Sequence, residues 1–326
     1  MIAEGSEVKA LEDEFTREFA GEEAVAVGSG SQALFLALRS VGVGEGSRVV
    51  TPTYVCPGVL AVIKEIGATA ILVDIEKDLL ADEEAIRSAV DSGSDAVIFP
   101  YLFGINRDIG ELADLSVPII EDCAHFVPSR PEPLQGDLAV FSFHATKFIA
   151  GGEGGMVVDR RLDPSQRPSS FKQFGRSEYK RNLFPMSDLQ AALVRSQFER
   201  LYQFLRRRQE IRKSYDDALD RFEGIHRPSD YAGQSLYFRY PILVDRPKYQ
   251  FDEAASLFKE EGVTVRRPVD GLLHGFVDRF SDPDFPEAER AYRRVLSPPI
   301  YPGLTDEEVG YVADALREGL GGNRWT

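Results

Sequence analysis

The sequence predicts an α/β fold: a mostly parallel sheet of seven strands with helices on both faces, followed by a smaller C-terminal α/β domain. Three observations support this. Over the first half of the chain, short runs of Val, Ile and Ala alternate with segments of helical period. Those runs are almost continuously apolar, as parallel strands covered on both faces must be. After about residue 185 the alternation gives way to a long amphipathic stretch and then to short strands around a helix. Residues 1–185 are therefore expected to form a large domain, and residues 186–326 a long connecting helix with a small domain.

Each element follows in order. AVAVG (Ala24–Gly28) reads as a strand, and SQALFLALRSVG (Ser31–Gly42) as a buried helix ended by glycine. RVVTP is a strand that Pro52 stops, and PGVLAVIKEIG is a helix with Val59, Val62, Ile63 and Ile66 on one face. TAILVD (Thr69–Asp74) is a strand, DEEAIRSAV (Asp82–Val90) a helix and DAVIFP (Asp95–Pro100) a strand. RDIGELAD (Arg107–Asp114) is expected to be helical. VPIIED (Val117–Asp122), DLAVFSF (Asp137–Phe143) and GGMVVD (Gly154–Asp159) complete the large sheet. GVGEG (Gly42–Gly46) follows a helix and precedes a strand, so it reads as a loop and not a dinucleotide fingerprint. In the second half, Ser187 and Gln190 make a capping box. They open one long helix along which Leu189, Leu193, Leu201, Phe204, Leu205 and Ile211 keep helical spacing. YFRYPILV (Tyr237–Val244) and VTVRRPV (Val263–Val269) read as strands, with FDEAASLFKEEG (Phe251–Gly262) as a helix between them. A second capping box, Thr305 with Glu308, opens the closing helix.

Composition removes several function classes. The 326 residues carry 38 Lys and Arg against 53 Asp and Glu, a net charge of −15. No basic stripe is present to follow a phosphate backbone, which sets nucleic acid aside. LRRRQEIRK (Leu205–Lys213) has acids nearby and reads as a solvated helix face. No apolar run approaches the roughly 20 residues that span a bilayer. The N-terminus is acidic, unlike a secretory leader. A soluble cytoplasmic protein with no membrane partner is expected. Cys56 and Cys123 are the two cysteines; they lack metal-ligand spacing, so no metal is expected, and both read as reduced, mostly buried thiols.

In parallel sheets ligands sit at the carboxyl ends of the strands, which directs attention to Ser29, Ser31, Thr53, Tyr54, Asp122, His125, Ser142 and Lys147. In GSGSQAL, Ser31 and Gln32 open a helix whose free N–H groups and dipole favour a phosphate. Asp122 ends an apolar strand, where a carboxylate calls for a cationic partner; an N-cap for the next helix is the alternative. Lys147 follows the strand DLAVFSF, where a partly apolar site would make it nucleophilic towards carbonyls; a surface-loop lysine is the alternative. Ser142 stands five residues before it and could bind an anion. Gly151, Gly152, Gly154 and Gly155 allow the backbone to turn tightly into the next strand. A phosphate cradle, a strand-end aspartate and a Schiff-base lysine together are what pyridoxal phosphate requires.

The stretches AVGSGSQALFLAL, RVVTPTYVCPGVLAVIKEIGATAILVDIEKD, IIEDCAH, GDLAVFSFHATKFIAGGEGGMVV, MSDLQAALV and LSPPIYPGLTDEEV span most of the chain. They resemble the DegT/DnrJ/StrS family of nucleotide-sugar aminotransferases, which have the aspartate-aminotransferase fold. The resemblance implies that Lys147 forms the Schiff base with pyridoxal phosphate and that Asp122 pairs with the pyridine nitrogen. It implies that Ser31, Gln32 and Ser142 hold the phosphate and that His125 lies beside the ring. Family members place a large aromatic over the ring where Cys56 stands here; Tyr54 is the expected substitute. The family's asparagine, three residues before the methionine of MSD, reaches a neighbouring subunit's phosphate. Here Asn182 stands four residues before Met186.

The resemblance implies amino transfer from glutamate or glutamine to a nucleotide-linked keto-sugar, in a homodimer whose cofactor sites lie at the subunit interface. Arg239, Arg266, Arg267 and His274 are candidates for a diphosphate or a donor carboxylate, or else surface and ion-pair residues. A sugar dehydratase of the same family is an alternative, but those enzymes replace the lysine with histidine and Lys147 is intact. A desulfurase-like lyase would place its cysteine in the C-terminal region, which has none. A non-catalytic regulator that binds the cofactor is the alternative from another class.

Overall fold

The structure, a computed structural model, describes residues 5–127, 134–161, 185–227, 235–277, 280, 282–321 and 325. Its centre is a seven-stranded sheet of short apolar strands: β1 (Glu23–Val27), β2 (Arg48–Pro52), β3 (Thr69–Val73), β4 (Ala96–Pro100), β5 (Ile119–Asp122), β6 (Leu138–Ser142) and β7 (Gly155–Asp159). They lie in the order β1-β7-β6-β5-β4-β2-β3. Every neighbouring pair is parallel except those made by β7, which runs against both β1 and β6. The predicted sheet is therefore present, with one reversed strand. α2 (Gly30–Ser40), α3 (Pro57–Glu65) and α4 (Glu83–Asp91) make the crossovers between β1, β2, β3 and β4. The GVGEG loop turns through Gly42 and Gly46, both at positive φ.

α1 (Ser6–Glu18) and α5 (Asp188–Phe198) form a pair at the edge beside β1. The N-cap of α1 is Gly5, which has no side chain to satisfy the first turn. Asp188 supplies the missing acceptor, taking hydrogen bonds from Gly5 N and Val8 N at 3.1 Å each. Arg195 then ties the two helices by donating to Glu7 and Glu14.

The capping boxes at Ser187 and Thr305 both form. The stretch from Ser187 to Leu219 is not one helix, however. α5 stops at Phe198 and α6 (Leu201–Leu219) begins after the break at Glu199 and Arg200. Periodicity alone cannot register such a break, because the apolar spacing continues across it. Arg107–Asp114 holds one 3-10 turn, Gly110–Leu112, and no α-helix. There Asp108 accepts from Gly110 N and Gln135 accepts from Ile109 N, so side chains take backbone partners that a helix would use.

A second, three-stranded antiparallel sheet has the order β10-β9-β8, from β8 (Ile225–His226), β9 (Ile242–Val244) and β10 (Val295–Leu296). It shares an apolar core with α6, α7 (Phe251–Glu260) and α9 (Asp306–Leu320), built around Tyr215, Tyr240, Phe258, Leu316 and Trp325. α8 (Pro286–Arg294) precedes β10. The strand expected over Tyr237–Val244 is confined to its last three residues, and that over Val263–Val269 reduces to a bridge between Arg266 and Ser297. Tyr237–Arg239 are engaged elsewhere. Leu236 N donates to Gly104 O at 2.7 Å and Arg239 N to Phe103 O at 3.3 Å, which joins this segment to the loop after β4. Phe103 and Tyr237 both take positive φ there, a conformation costing about 1–3 kcal/mol for a large side chain. No helix among the described residues is long and apolar enough to cross a membrane.

Candidate active site

The site assembles at the carboxyl ends of β1, β5 and β6. Gly155, the first residue of β7, pairs with Val27 on one side and Ser142 on the other. A Cβ on Gly155 would lie 2.3 Å from Ser29 O, and one on Gly30 would lie 2.8 Å from Ser142 Cβ. Only glycine at both positions lets the start of α2 close onto Ser142. Ser29 caps α2 by accepting from Gln32 N at 3.2 Å. The N–H groups of Gly30 and Ser31 have no partner within the helix. Ser31 and Gln32 thus stand at a helix N-terminus whose first residue, Gly30, packs against Ser142, an arrangement that can accept an anion. The buried Gln32 Oε1 has no hydrogen-bond partner.

Beyond β6 the chain turns back through hydrogen bonds that continue the β6–β7 ladder. Phe143 N donates to Gly154 O, Ala145 N to Gly152 O and Gly151 N to Phe143 O. Gly152 and Gly154 sit at positive φ inside this turn. Lys147 leaves it half-buried, its Nζ 5.6 Å from the centre of the Phe238 ring. Burial holds its pKa below that of an ordinary lysine, opposed by the charge of Asp122. Asp122, the last residue of β5, accepts from Ala124 N at 2.9 Å. Burial raises its pKa, opposed by that hydrogen bond and by Lys147. The two groups therefore oppose each other's desolvation, as a strand-end carboxylate and its cationic partner should.

His125 stacks on Phe238 at 4.3 Å and on Phe103 at 6.2 Å. Burial, then the charges of Lys147 and Arg239, push its pKa well below the usual value, so the ring is neutral. Its Nδ1 is buried without a partner. Tyr54 is fully buried behind Phe103, with ring centres 6.1 Å apart, and its hydroxyl has no partner. Cys56 is exposed, not buried as expected, because it is the first residue before α3 and opens towards Ser31. A Cβ on Gly58 would lie 3.6 Å from Cys56 Sγ and 3.9 Å from Ser31 Oγ, so both groups border the first turn of α3. Cys123 is buried, and burial raises its pKa. Asn182 lies outside the described residues.

A cavity of about 740 Å³ runs from Thr146, Phe238 and Arg239 to Arg266, Tyr301 and Tyr311; Lys147 itself is not part of its lining. The four candidate anion readers divide. His274 is buried, bonded to Thr53 Oγ1 through Nδ1 at 2.8 Å and facing Glu289 through Nε2 at 3.2 Å. Arg267 donates to Asp252 and to Tyr292 O. Arg239 and Arg266 line the cavity.

Sequence reading missed Phe238, Phe103 and Arg208. Arg208 belongs to the run read as a solvated face, yet it is only 6% exposed. Its Nη1 donates to Tyr237 O, Phe238 O and Ile300 O, and burial pushes its pKa down to about 10. One signal was present: Arg208, Ile211 and Tyr215 share helical spacing with Leu201 and Leu205, so Arg208 falls on the buried stripe.

These residues fit pyridoxal phosphate. The glycine-made cradle with its free N–H groups suits the phosphate, and the unpartnered polar atoms of Gln32 and His125 face a site that needs polar partners. Asp122 suits a protonated ring nitrogen, and Lys147 has the lowered proton affinity that reaction with an aldehyde requires.

A profile of the DegT/DnrJ/EryC1/StrS aminotransferase family matches residues 1–317. The spore coat polysaccharide biosynthesis protein SpsC of Bacillus subtilis (strain 168) is 30% identical over 356 aligned positions, covering 97% of this chain and 90% of that protein. Among solved structures, the aminotransferase TlmJ from Streptoalloteichus hindustanus superposes with a TM-score of 0.87 at 27% identity, over 98% of this chain and 92% of that one. Spr1654 from Streptococcus pneumoniae in its PLP form has the same fold, with a TM-score of 0.87 at 22% identity over 98% and 92% of the two chains. Since the family profile runs through all the strand ends that build the site, the chain belongs to the DegT/DnrJ/EryC1/StrS aminotransferase family and is a pyridoxal-phosphate-dependent aminotransferase.

Proposed function

We propose that the protein moves an amino group from glutamate or glutamine to a nucleotide-linked keto-sugar. The observation that carries the reading is Lys147, half-buried, lowered in proton affinity and opposed by Asp122 across the ends of adjacent strands. The sugar is supported by the relative SpsC, whose name places it in polysaccharide biosynthesis. A cavity of about 740 Å³ is roomy enough for a nucleotide-linked sugar.

When bound, the cofactor supplies an aldehyde that accepts nitrogen and a cationic ring that takes up negative charge. Ser31, Gln32 and Ser142 bind its phosphate. Asp122 would hold the ring nitrogen protonated, and neutral His125 would lie beside the ring. Lys147 would be the tether, and its neutral Nζ would take the proton from the donor's α-carbon and deliver one in return. Phe238 and Phe103 exclude water from this transfer.

The working unit on this reading is a cytoplasmic homodimer. Leu189 on α5 is 79% exposed and Tyr202 at the start of α6 is 58% exposed, with Leu193 also exposed between them. Such an apolar face beside the site suits a second copy of the chain. The large cofactor-binding domain would comprise residues 1–185, and the segment before Met186, with Asn182, would reach the neighbour's phosphate. Retention of Lys147 favours amino transfer over the dehydratase alternative. The test is in two steps. Glutamate should convert the bound cofactor to its aminated form, and a panel of nucleotide-linked keto-sugars should then restore the original spectrum. Cofactor that binds but is never aminated would instead support the regulator alternative.

A further inference from the structure

The cations in the cavity wall and the adjacent Arg267 are unequally committed. Arg208 is spent on three carbonyls and Arg267 on Asp252 and Tyr292 O. Arg266 is exposed on the outer part of the cavity. Arg239 differs from all of them. It is half-buried, its side chain makes no hydrogen bond or ion pair among the described residues, and its Nε is buried without a partner. Burial lowers its pKa; Asp270 opposes this without pairing with it, and Arg266 adds to it. Its guanidinium lies 5.7 Å from the centre of the Phe238 ring, the ring that Lys147 Nζ approaches to 5.6 Å and on which His125 stacks. The charge of Arg239 is felt at Lys147, His125 and Tyr54.

An unpaired guanidinium in a partly dry crevice binds an oxyanion strongly, because its own desolvation has already been incurred. The position decides which oxyanion. A donor's α-carboxylate is bonded to the same carbon that loses its proton to Lys147, so the cation reading it must stand beside Lys147. The diphosphate of a nucleotide-linked sugar lies across the sugar ring from the reacting carbon, which suits the outlying Arg266. We infer that Arg239 binds the α-carboxylate of the amino donor and so selects α-amino acids over simple amines. This rests on the aminotransferase reading of Lys147.

The test compares holoenzymes of wild type, Arg239→Gln and Arg239→Lys. The donors are L-glutamate and γ-aminobutyrate, which lacks only the α-carboxylate. Cofactor absorbance follows amination, and calorimetry follows L-glutamate and inorganic pyrophosphate binding. Arg239→Gln should lower the apparent second-order rate with glutamate about 100-fold, the scale of a lost charge-assisted pair. It should change the γ-aminobutyrate rate and pyrophosphate binding far less, because only the small field of Arg239 at Lys147 is lost there, and Arg239→Lys should recover part of the glutamate loss. Unchanged glutamate kinetics with lost pyrophosphate binding would overturn the assignment. If the wild type aminates its cofactor with no amine, the functional reading fails separately, and calorimetry still decides: weaker glutamate binding in Arg239→Gln supports the role, equal or absent binding in both proteins refutes it.

Discussion

Lys147 and Asp122 set each other's protonation, and this gives a prediction whose sign can be worked out. Burial lowers the lysine's proton affinity, while the carboxylate raises it. Asp122→Asn removes the opposing charge, so the neutral amine should emerge at still lower pH. In the apoprotein, the pH midpoint for labelling of Lys147 by an amine-reactive reagent should shift down; an unchanged or upward midpoint would contradict the coupling. In the holoenzyme the same substitution should slow turnover by at least about 100-fold, since a neutral amide cannot hold the ring nitrogen protonated. Both residues were legible in the sequence because Asp122 ends one apolar strand and Lys147 lies in the turn that follows another, and strand ends are where such sheets bind ligands. Phe238 and Arg239 were not legible as neighbours of Lys147. They arrive from about 90 positions away through backbone bonds to Phe103 and Gly104 that no local pattern encodes.

At the scale of elements, the site depends on how closely α2 approaches the start of β7. Gly155→Ala would drive a methyl group into Ser29 O, which is backbone and cannot swing aside. The expected result is a stability loss of about 1–3 kcal/mol, typical of overpacking, together with weaker cofactor binding. Both are measurable by denaturant titration with and without pyridoxal phosphate. Native stability with unchanged binding would mean the approach is not constrained as described. The large sheet was readable strand by strand, since its strands are short apolar runs and all but β6 are closed by Gly, Pro or Asp. The small sheet was not, because β8 and β10 are two residues long and carry no period. Capping boxes marked where α5 and α9 begin, but nothing in the apolar spacing marked the break between α5 and α6.

At the scale of the whole molecule, the exposed apolar face on α5 and α6 and the chemistry at Lys147 make separate claims. Leu189→Glu with Leu193→Glu should convert a dimer to a monomer in sedimentation and abolish most activity while leaving the monomer folded by circular dichroism. A fully active monomer would remove the shared-site proposal without touching the chemistry. Sequence suggested Leu189 and Leu193 as part of a helical apolar stripe, and the structure turns them outward because Ala191 and Val194 take the inner face. The central claim, that Lys147 is the reacting amine, has the most direct test. The protein loaded with pyridoxal phosphate should be yellow, and borohydride reduction followed by peptide mapping should place the cofactor on Lys147. An adduct on any other lysine, or none at all, would contradict the account.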